Sequence, residues 1–162
     1  MKPRIAIAPL LLSIFLISCG GSDSSSQEAS TSSQAEQSTQ NQSGLSDFEL
    51  EHGIGPVTEP LNLDDEIDAD LAEQGRSIFA MKCEACHAME SRMVGPAQGD
   101  VTSRRSPEFI MNFILNPSGM TSEHPVGKEL LQEYMTPMPF QNVSEEEARA
   151  VLEYFRQYAA NK

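Results

Sequence analysis

Basic residues are scarce in this chain. Its 162 residues include 11 lysines and arginines against 24 aspartates and glutamates, which gives a formal net charge of −13 at pH 7. Proteins that bind nucleic acids need clustered Lys and Arg to neutralise the phosphates. We therefore expect no nucleic acid partner. The length fits one domain with room for tails.

Tryptophan is absent and cysteine is rare. With no Trp, 7 Phe and 3 Tyr, the folded region has few large side chains for a core, and a large buried cofactor would fill such a core well. The cysteines are Cys19, Cys83 and Cys86. Disulfides alone leave one of three cysteines unpaired in an exported chain, so that cysteine needs an explanation.

The N-terminus has the pattern of an export signal. Residues 1–18 begin with Lys2 and Arg4 and continue as an apolar run that is too short for a stable spanning helix. The end of this run, "LISC", resembles the lipobox of bacterial lipoproteins, which implies that Cys19 is lipidated and becomes the mature N-terminus. The alternatives are an ordinary signal peptide or an uncleaved anchor, each with a free Cys19.

A polar linker follows Cys19. Residues 19–46 are rich in Ser and Gln and have almost no apolar side chains, so they cannot bury enough surface to offset the entropy of ordering. We predict a disordered tether with an average reach of roughly 30 Å. It either lets the domain sweep the space around a membrane anchor or serves only as a spacer.

Residues 47–162 form the predicted domain, and their patterns are helical. Apolar residues recur at intervals of three and four, and no segment alternates convincingly like a strand. Four helices are predicted, beginning near Asp68, Ser106, Pro125 and Ser144, with the first running to Cys86. Ser144 and Glu147 form a capping box for the last helix. The predicted fold class is therefore all-α.

The stretch "CEACH" places Cys83, Cys86 and His87 within five positions. A thioredoxin-like dithiol would follow a strand, but here a helix precedes the motif. A structural zinc site needs four ligands, and this motif supplies at most three. Cys-x-x-Cys-His is the attachment signature of c-type haem. We therefore predict one haem c, bound covalently through both cysteines, with His87 on the iron.

The folded region resembles a class I, single-haem cytochrome c. In that family a first helix carries the haem motif and crosses the last helix near its start. Gly75 and Phe79 match the contact residues of the first helix, and Tyr154 matches the aromatic residue of the last. Glycine in the middle of a helix costs about 1 kcal/mol relative to Ala. The resemblance explains Gly75, because a Cβ there would hold the two helices apart. It implies a class I cytochrome c fold, with about four helices around the haem.

The second axial ligand decides what the iron does. A strong second ligand closes the iron and favours electron transfer, and Met raises the potential. The resemblance places the ligand just before the last helix, which implies Met138, with Met135 as the reserve. Met120 lies in a predicted loop and stays open, whereas Met111 is expected to pack in the core or be partly exposed.

Further residues are assigned to the haem by the resemblance or by their charge. The carbonyl of Pro96 in "GPA" would accept a hydrogen bond from His87, with Gly95 permitting the turn. Arg104 and Arg105 are candidates to pair with the haem propionates, since Arg binds carboxylates bidentately; Arg92 is a third. All three are equally well explained as solvated charges. His52 and His124 are expected in loops, with His124 beginning a helix.

These observations support an electron carrier that is anchored to a bacterial envelope membrane, with its haem domain in the periplasm. "GIGPV" and "QNVSEEEARAVLEYFR" are similar to small cytochromes encoded beside nitrous oxide reductases. Terminal oxidases and a cytochrome bc complex are equally open as redox partners. The alternative is a haem enzyme, or a gas or peroxide sensor, which requires a displaceable distal ligand. A purely structural lipoprotein would leave "CEACH" unexplained.

Overall fold

The computed structural model describes residues 43–162. The predicted signal segment, Cys19 and most of the predicted linker lie outside these residues. The described part contains seven helices and no strand: α1 Asp47–His52, α2 Ala69–Lys82, α3 Val101–Arg104, α4 Pro107–Leu115, α5 Pro117–Glu123, α6 Pro125–Tyr134 and α7 Glu145–Ala160. The all-α prediction is confirmed, although the number of helices was underestimated. Within residues 43–162, no helix combines the length and the apolar character needed to cross a membrane.

The predicted helix starts are confirmed by their caps. The side chain of Asp68 accepts from two N–H groups in the first turn of α2, and Ser106 accepts from Phe109 N–H at the start of α4. The capping box of Ser144 and Glu147 is present at the start of α7. His124 accepts from Val126 N–H and caps α6, as expected of a residue that begins a helix.

The predicted end of the first long helix was wrong. Helix α2 stops at Lys82, and Cys83 is its C-cap with φ −120° and ψ −32°. Regular i→i+4 bonding breaks here, because Glu84 N–H reaches back five residues to Phe79 O. A separate turn then forms, in which Cys86 and His87 N–H both point to Cys83 O. The haem motif therefore lies in a turn after the helix, not within it.

The sequence patterns missed three short helices, α1, α3 and α5. They have six, four and seven residues, which is too short to show a helical period. Asn116 ends α4 as predicted, but its side chain also accepts from Gly119 N–H and starts α5 at once. His52 belongs to α1 instead of a loop, and its Nδ1 lies 2.8 Å from Ser106 Oγ.

The core is centred on the crossing of α2 and α7. A Cβ on Gly75 would lie 1.9 Å from the carbonyl oxygen of Ala150, so the two backbones are in direct contact. The Phe79 ring packs beside Tyr154 and Phe155, with centroids 5.7 Å away in both cases. The predicted helix contacts are therefore confirmed. This crossing places the end of α2, and with it the haem motif, against the core.

A segment without regular structure, residues 53–63, covers α4 and is called the N-terminal strap here. Asn112 is fully buried and holds it: its Oδ1 accepts from Val57 N–H, and its Nδ2 donates to the carbonyls of His52 and Val57. Glu108 accepts from Leu61 N–H at 2.7 Å. These side chains satisfy backbone groups that no helix or sheet would satisfy. The strap thereby fixes α4, whose other face lines the cavity.

Candidate haem site

A mainly apolar cavity lies beside the turn that follows α2. Its walls come from the C-terminal end of α2 and the turn after it, from the middle of α7, from α3, α4 and α6, and from the loops at 94–98 and 136–141. The apolar lining includes Phe79, Val94, Val101, Phe109, Ile110, Phe113, Ile114, Leu130, Leu131, Val151 and Phe155. A cavity with such walls and few polar groups suits a large planar apolar cofactor.

Cys83 and Cys86 both line this cavity and are half-buried. Burial raises the pKa of the Cys83 thiol to about 11, and the nearby Lys82 only partly offsets this. Redox-active cysteines have lowered pKa values, so this environment disfavours a reactive dithiol. In residues 43–162 no cluster of three or more His, Cys, Asp or Glu side chains is arranged to hold a metal ion. The redox and zinc interpretations therefore lose support.

The ring of His87 is held in one orientation. Its Nδ1 lies 3.0 Å from the carbonyl oxygen of Pro96, the contact implied by the sequence. Within residues 43–162, the ring makes hydrogen-bond contacts with Pro96 O and with Gln98 Nε2, and both involve Nδ1. Nε2 is therefore available to a metal. Carbonyl oxygens commonly fix metal-bound histidines in this way.

Gly95 has a different role from the one expected. Its backbone does not have a positive φ, so the turn itself does not require glycine. Instead, a Cβ at Gly95 would lie 2.3 Å from Cε1 of His87 and 2.8 Å from Nδ1. A side chain there would displace the imidazole from the Pro96 carbonyl. Gly95 therefore provides the space in which the His87 ring lies.

Met138 is the one methionine, among those described, that lines the cavity. The reserve candidate Met135 is 82% exposed and ends α6 in the left-handed conformation. Met120 is fully buried in α5, where its sulfur accepts from Ile54 N–H, so it is not a loop residue. Met111 is buried in the core. The arrangement favours Met138 over every other candidate as a ligand.

The loop that carries Met138 has little regular structure and is tied to α2 by a lysine. Residues 136–143 contain no helix. Lys82 Nζ donates to Asn142 O at 3.0 Å and also to the carboxylate of Glu147, at 2.9 and 3.0 Å. Asn142 has a φ of 49°, a conformation that Asn tolerates better than most residues. Lys82, at the end of α2, thus joins the Met138 loop to α7.

Two of the three arginines considered lie at the cavity. Arg104 lines it, pairs with Asp100 at 2.9 Å and donates to Ala97 O at 3.1 Å. Arg105 also lines it, with its guanidinium 4.9 Å from the centre of the Phe109 ring. Both are therefore in place to meet an acidic group of a cofactor. Arg92 does not line the cavity and instead pairs with Glu133 over the Tyr134 ring.

Gln98 was not expected at the site. It lines the cavity, and its amide nitrogen lies 2.9 Å from Pro96 O and 3.0 Å from His87 Nδ1. No sequence pattern marks it, because the contact depends on how the loop folds back towards His87. Its position two residues after Pro96 was the only available signal.

The site therefore defines a class: an all-α domain with a Cys-x-x-Cys-His turn, an oriented histidine and an apolar cavity faced by one methionine. The family model "Cytochrome c" matches residues 72–159, more than half of the chain. The chain belongs to the cytochrome c family, and this membership implies a covalently attached c-type haem and a role in electron transfer. The residues present fit that group, since Cys83, Cys86 and His87 all line one cavity.

Solved structures agree with the family assignment. Cytochrome c from Rhodothermus marinus is 52% identical, with a TM-score of 0.67, covering 70% of this chain and 97% of that one. An engineered form, Rma TDE, is 51% identical with a TM-score of 0.66 and the same coverage. The same engineered form bound to a carbene intermediate is also 51% identical, with a TM-score of 0.64 and again the same coverage. No curated protein matches the chain. The predicted class I cytochrome c fold is confirmed.

Proposed function

We propose that this protein is a membrane-tethered carrier of single electrons. Cys83 and Cys86 would hold the haem covalently, and His87 and Met138 would supply ligands to its iron. This proposal rests mainly on one observation: His87 and Met138 line the same cavity, while Nδ1 of His87 is hydrogen-bonded to Pro96 O. The haem supplies the one-electron chemistry.

The residues of this chain suit a carrier. Two protein ligands would close the iron to other ligands, and a methionine thioether as one of them would raise the reduction potential. The apolar walls of the cavity would keep water away from the iron and favour its less charged, reduced state. Arg104 and Arg105 line the cavity, where they would neutralise haem propionates. Because His87 is already oriented, little rearrangement accompanies the change of charge.

The tether is proposed from the sequence. A lipid on Cys19 would hold the protein at the bacterial envelope, and more than one acyl chain is needed for stable anchoring. With the haem domain in the periplasm, residues 19–46 would let it reach a redox partner. Replacing Cys19 by Ala should release the haem protein from the membrane fraction into the soluble periplasmic fraction. Retention of the variant in the membrane would contradict lipid anchoring.

The proposed partner is a respiratory or denitrification reductase. Nitrous oxide reductase, a terminal oxidase and a cytochrome bc complex remain the candidates. The "GIGPV" stretch has a structural role of its own, because a Cβ at Gly55 would lie 2.3 Å from Asn112 Oδ1. Its likeness to cytochromes encoded beside nitrous oxide reductases therefore does not favour that partner over the others.

A second function has one observation in its favour. The Met138 loop contains no helix, and Lys82 holds it by an exposed hydrogen bond to Asn142 O, four residues beyond Met138. Met138 is therefore a candidate for displacement from the iron. The engineered Rhodothermus marinus cytochrome c is named as bound to a carbene intermediate. If Met138 leaves easily, the iron would bind small ligands and the protein would act as a haem enzyme or as a gas or peroxide sensor.

One experiment separates the two functions. The full-length, haem-loaded protein is titrated electrochemically and then mixed, in its reduced form, with carbon monoxide; Met138→Ala is the comparison. A carrier gives a reversible one-electron curve and binds carbon monoxide far more slowly than Met138→Ala does. Equal binding rates for the two proteins would contradict the carrier and favour the enzyme or sensor. A Cys83→Ser/Cys86→Ser control should lose covalent haem.

A further inference from the structure

Gln98 contacts the Pro96 carbonyl, the same group whose hydrogen bond orients His87. Its amide Nε2 lies 2.9 Å from the Pro96 carbonyl oxygen, which is itself 3.0 Å from His87 Nδ1. We propose that Gln98 is a positioning residue that raises the reduction potential of the haem by sharing the Pro96 carbonyl with His87. This inference rests on the proposed ligation of iron by His87.

The protonation state of His87 determines which hydrogen bonds form. With Nε2 on the iron, the ring proton must be on Nδ1, and this N–H donates to Pro96 O. Nδ1 then has no lone pair, so the amide of Gln98 cannot donate to it despite the 3.0 Å distance. The amide N–H donates instead to Pro96 O. One carbonyl oxygen therefore receives two donors.

A second donor to Pro96 O weakens the hydrogen bond that this carbonyl accepts from His87. A strong Nδ1–H···O bond makes the imidazole more anionic, which stabilises the oxidised iron and lowers the potential. Electron density that Pro96 O shares with Gln98 is less available to His87. The imidazole is then closer to neutral, and the reduced iron is favoured. Gln98 therefore shifts the midpoint potential in the positive direction.

The opposite orientation of the amide would reverse the effect. If Oε1 pointed inwards, it would accept from Nδ1–H and lower the potential. It would also lie at the position of the nitrogen, 2.9 Å from Pro96 O. Both oxygens would then be acceptors with no hydrogen between them, which costs free energy. The nitrogen-inward orientation is thus preferred, and the sign of the shift distinguishes the two.

The side chain of Gln98 can be changed without removing the main-chain contacts at this position. Its N–H donates to Ala88 O at 3.0 Å, and its carbonyl accepts from Val101 N–H at 3.1 Å. Both bonds survive substitution of the side chain. Gln141 offers a matched control, since it also lines the cavity but donates to Pro139 O in the Met138 loop.

The test compares the midpoint potentials of Gln98→Leu, Gln141→Leu and the unmodified full-length, haem-loaded protein. Leu makes the cavity less polar, which by itself moves a potential in the positive direction. We expect Gln98→Leu nonetheless to shift the potential in the negative direction, and Gln141→Leu to show no negative shift. The Nδ1–H proton resonance of His87 in the reduced protein should move downfield in Gln98→Leu alone, as its hydrogen bond strengthens.

An unchanged or more positive potential in Gln98→Leu, with an unchanged low-spin spectrum, would overturn the inference. If Gln98→Leu does not load haem, Gln98→Met has a similar length, lacks the donor and must give the same negative shift. Failure of the proposed function is seen separately. It would appear as a missing His87 ligand in the unmodified protein, whereas failure of this inference leaves that spectrum intact.

Discussion

The crossing of α2 and α7 at Gly75 yields a quantitative prediction. In Gly75→Ala the new Cβ would lie 1.9 Å from the Ala150 carbonyl oxygen and 2.4 Å from its carbon. Ordinary contact begins near 3.4 Å, so the approach is too close by about 1.5 Å. The obstacle is backbone, which cannot rotate away as a side chain can. The two helices must therefore separate or shift.

The expected loss of stability follows from two opposing effects. Replacing Gly by Ala inside a helix favours folding by about 1 kcal/mol. Overpacking a core costs about 1–3 kcal/mol and occasionally more. Because the clash is with backbone and also disturbs the Phe79 contacts with Tyr154 and Phe155, we place the cost at the upper end. Gly75→Ala should therefore destabilise the protein by about 2 kcal/mol.

Guanidinium unfolding of the haem-loaded protein measures this effect. Ser77→Ala is the matched control, because Ser77 is exposed on the same helix and gains helix propensity without a clash. We expect the free energy of unfolding to fall in Gly75→Ala and to stay level or rise slightly in Ser77→Ala. If both variants are as stable as the unmodified protein, α2 and α7 do not meet at Gly75 as described.

Three further predictions concern the Met138 loop and stability against acid. Lys82→Gln should raise the affinity of the oxidised haem for added imidazole, measured by optical titration, because it loosens the link to Asn142 O; unchanged affinity would contradict that role. Burial alone would raise the pKa of Glu153, but hydrogen bonds from Arg149 and other donors outweigh it and lower the pKa. The stabilisation that the ionised Glu153 carboxylate contributes is full above its unfolded-state pKa of about 4.3. It is lost as pH falls through the lower pKa of the folded state. Glu153→Gln should cost about 3 kcal/mol at pH 7, as a broken buried ion pair, and show a smaller loss of stability in acid by thermal unfolding; an equal loss would contradict this. Burial lowers the pKa of His124, so its contribution to stability is full above about 6.5 and falls as pH drops towards the folded value. His124→Asn keeps the cap and should flatten the decline of unfolding free energy as pH falls below about 6.5; an unchanged slope would contradict the role of His124.

Local signals in the sequence predicted much of the fold. Ser106 and Ser144 are followed by residues that make capping geometry favourable, and both caps are present. Gly75 was predictable because glycine is costly within a helix, so a specific contact had to justify it. In each case the physical cause lies within a few residues or in one familiar helix crossing. The end of α2 was misplaced because the haem motif continues the polypeptide in a turn that resembles helix in sequence.

Features that depend on distant contacts were not predictable. The N-terminal strap is held by Asn112, which is fifty-five positions from Val57, and no local pattern reports such a pairing. Gln98 reaches His87 across eleven positions of loop. Gly95 was noticed, but its reason was wrong, since its small size makes room for the His87 ring. Met138 remains a prediction that the cavity lining favours.

The most direct test of the central claim is the near-infrared spectrum of the oxidised, haem-loaded protein, recorded alongside Met138→Ala and Met135→Ala. A charge-transfer band from methionine sulfur to iron is expected in the unmodified protein and in Met135→Ala, because Met135 is 82% exposed. It should be missing only in Met138→Ala, which would establish an iron closed by His87 and Met138. Absence of the band from the unmodified protein, or its persistence in Met138→Ala, would contradict this account.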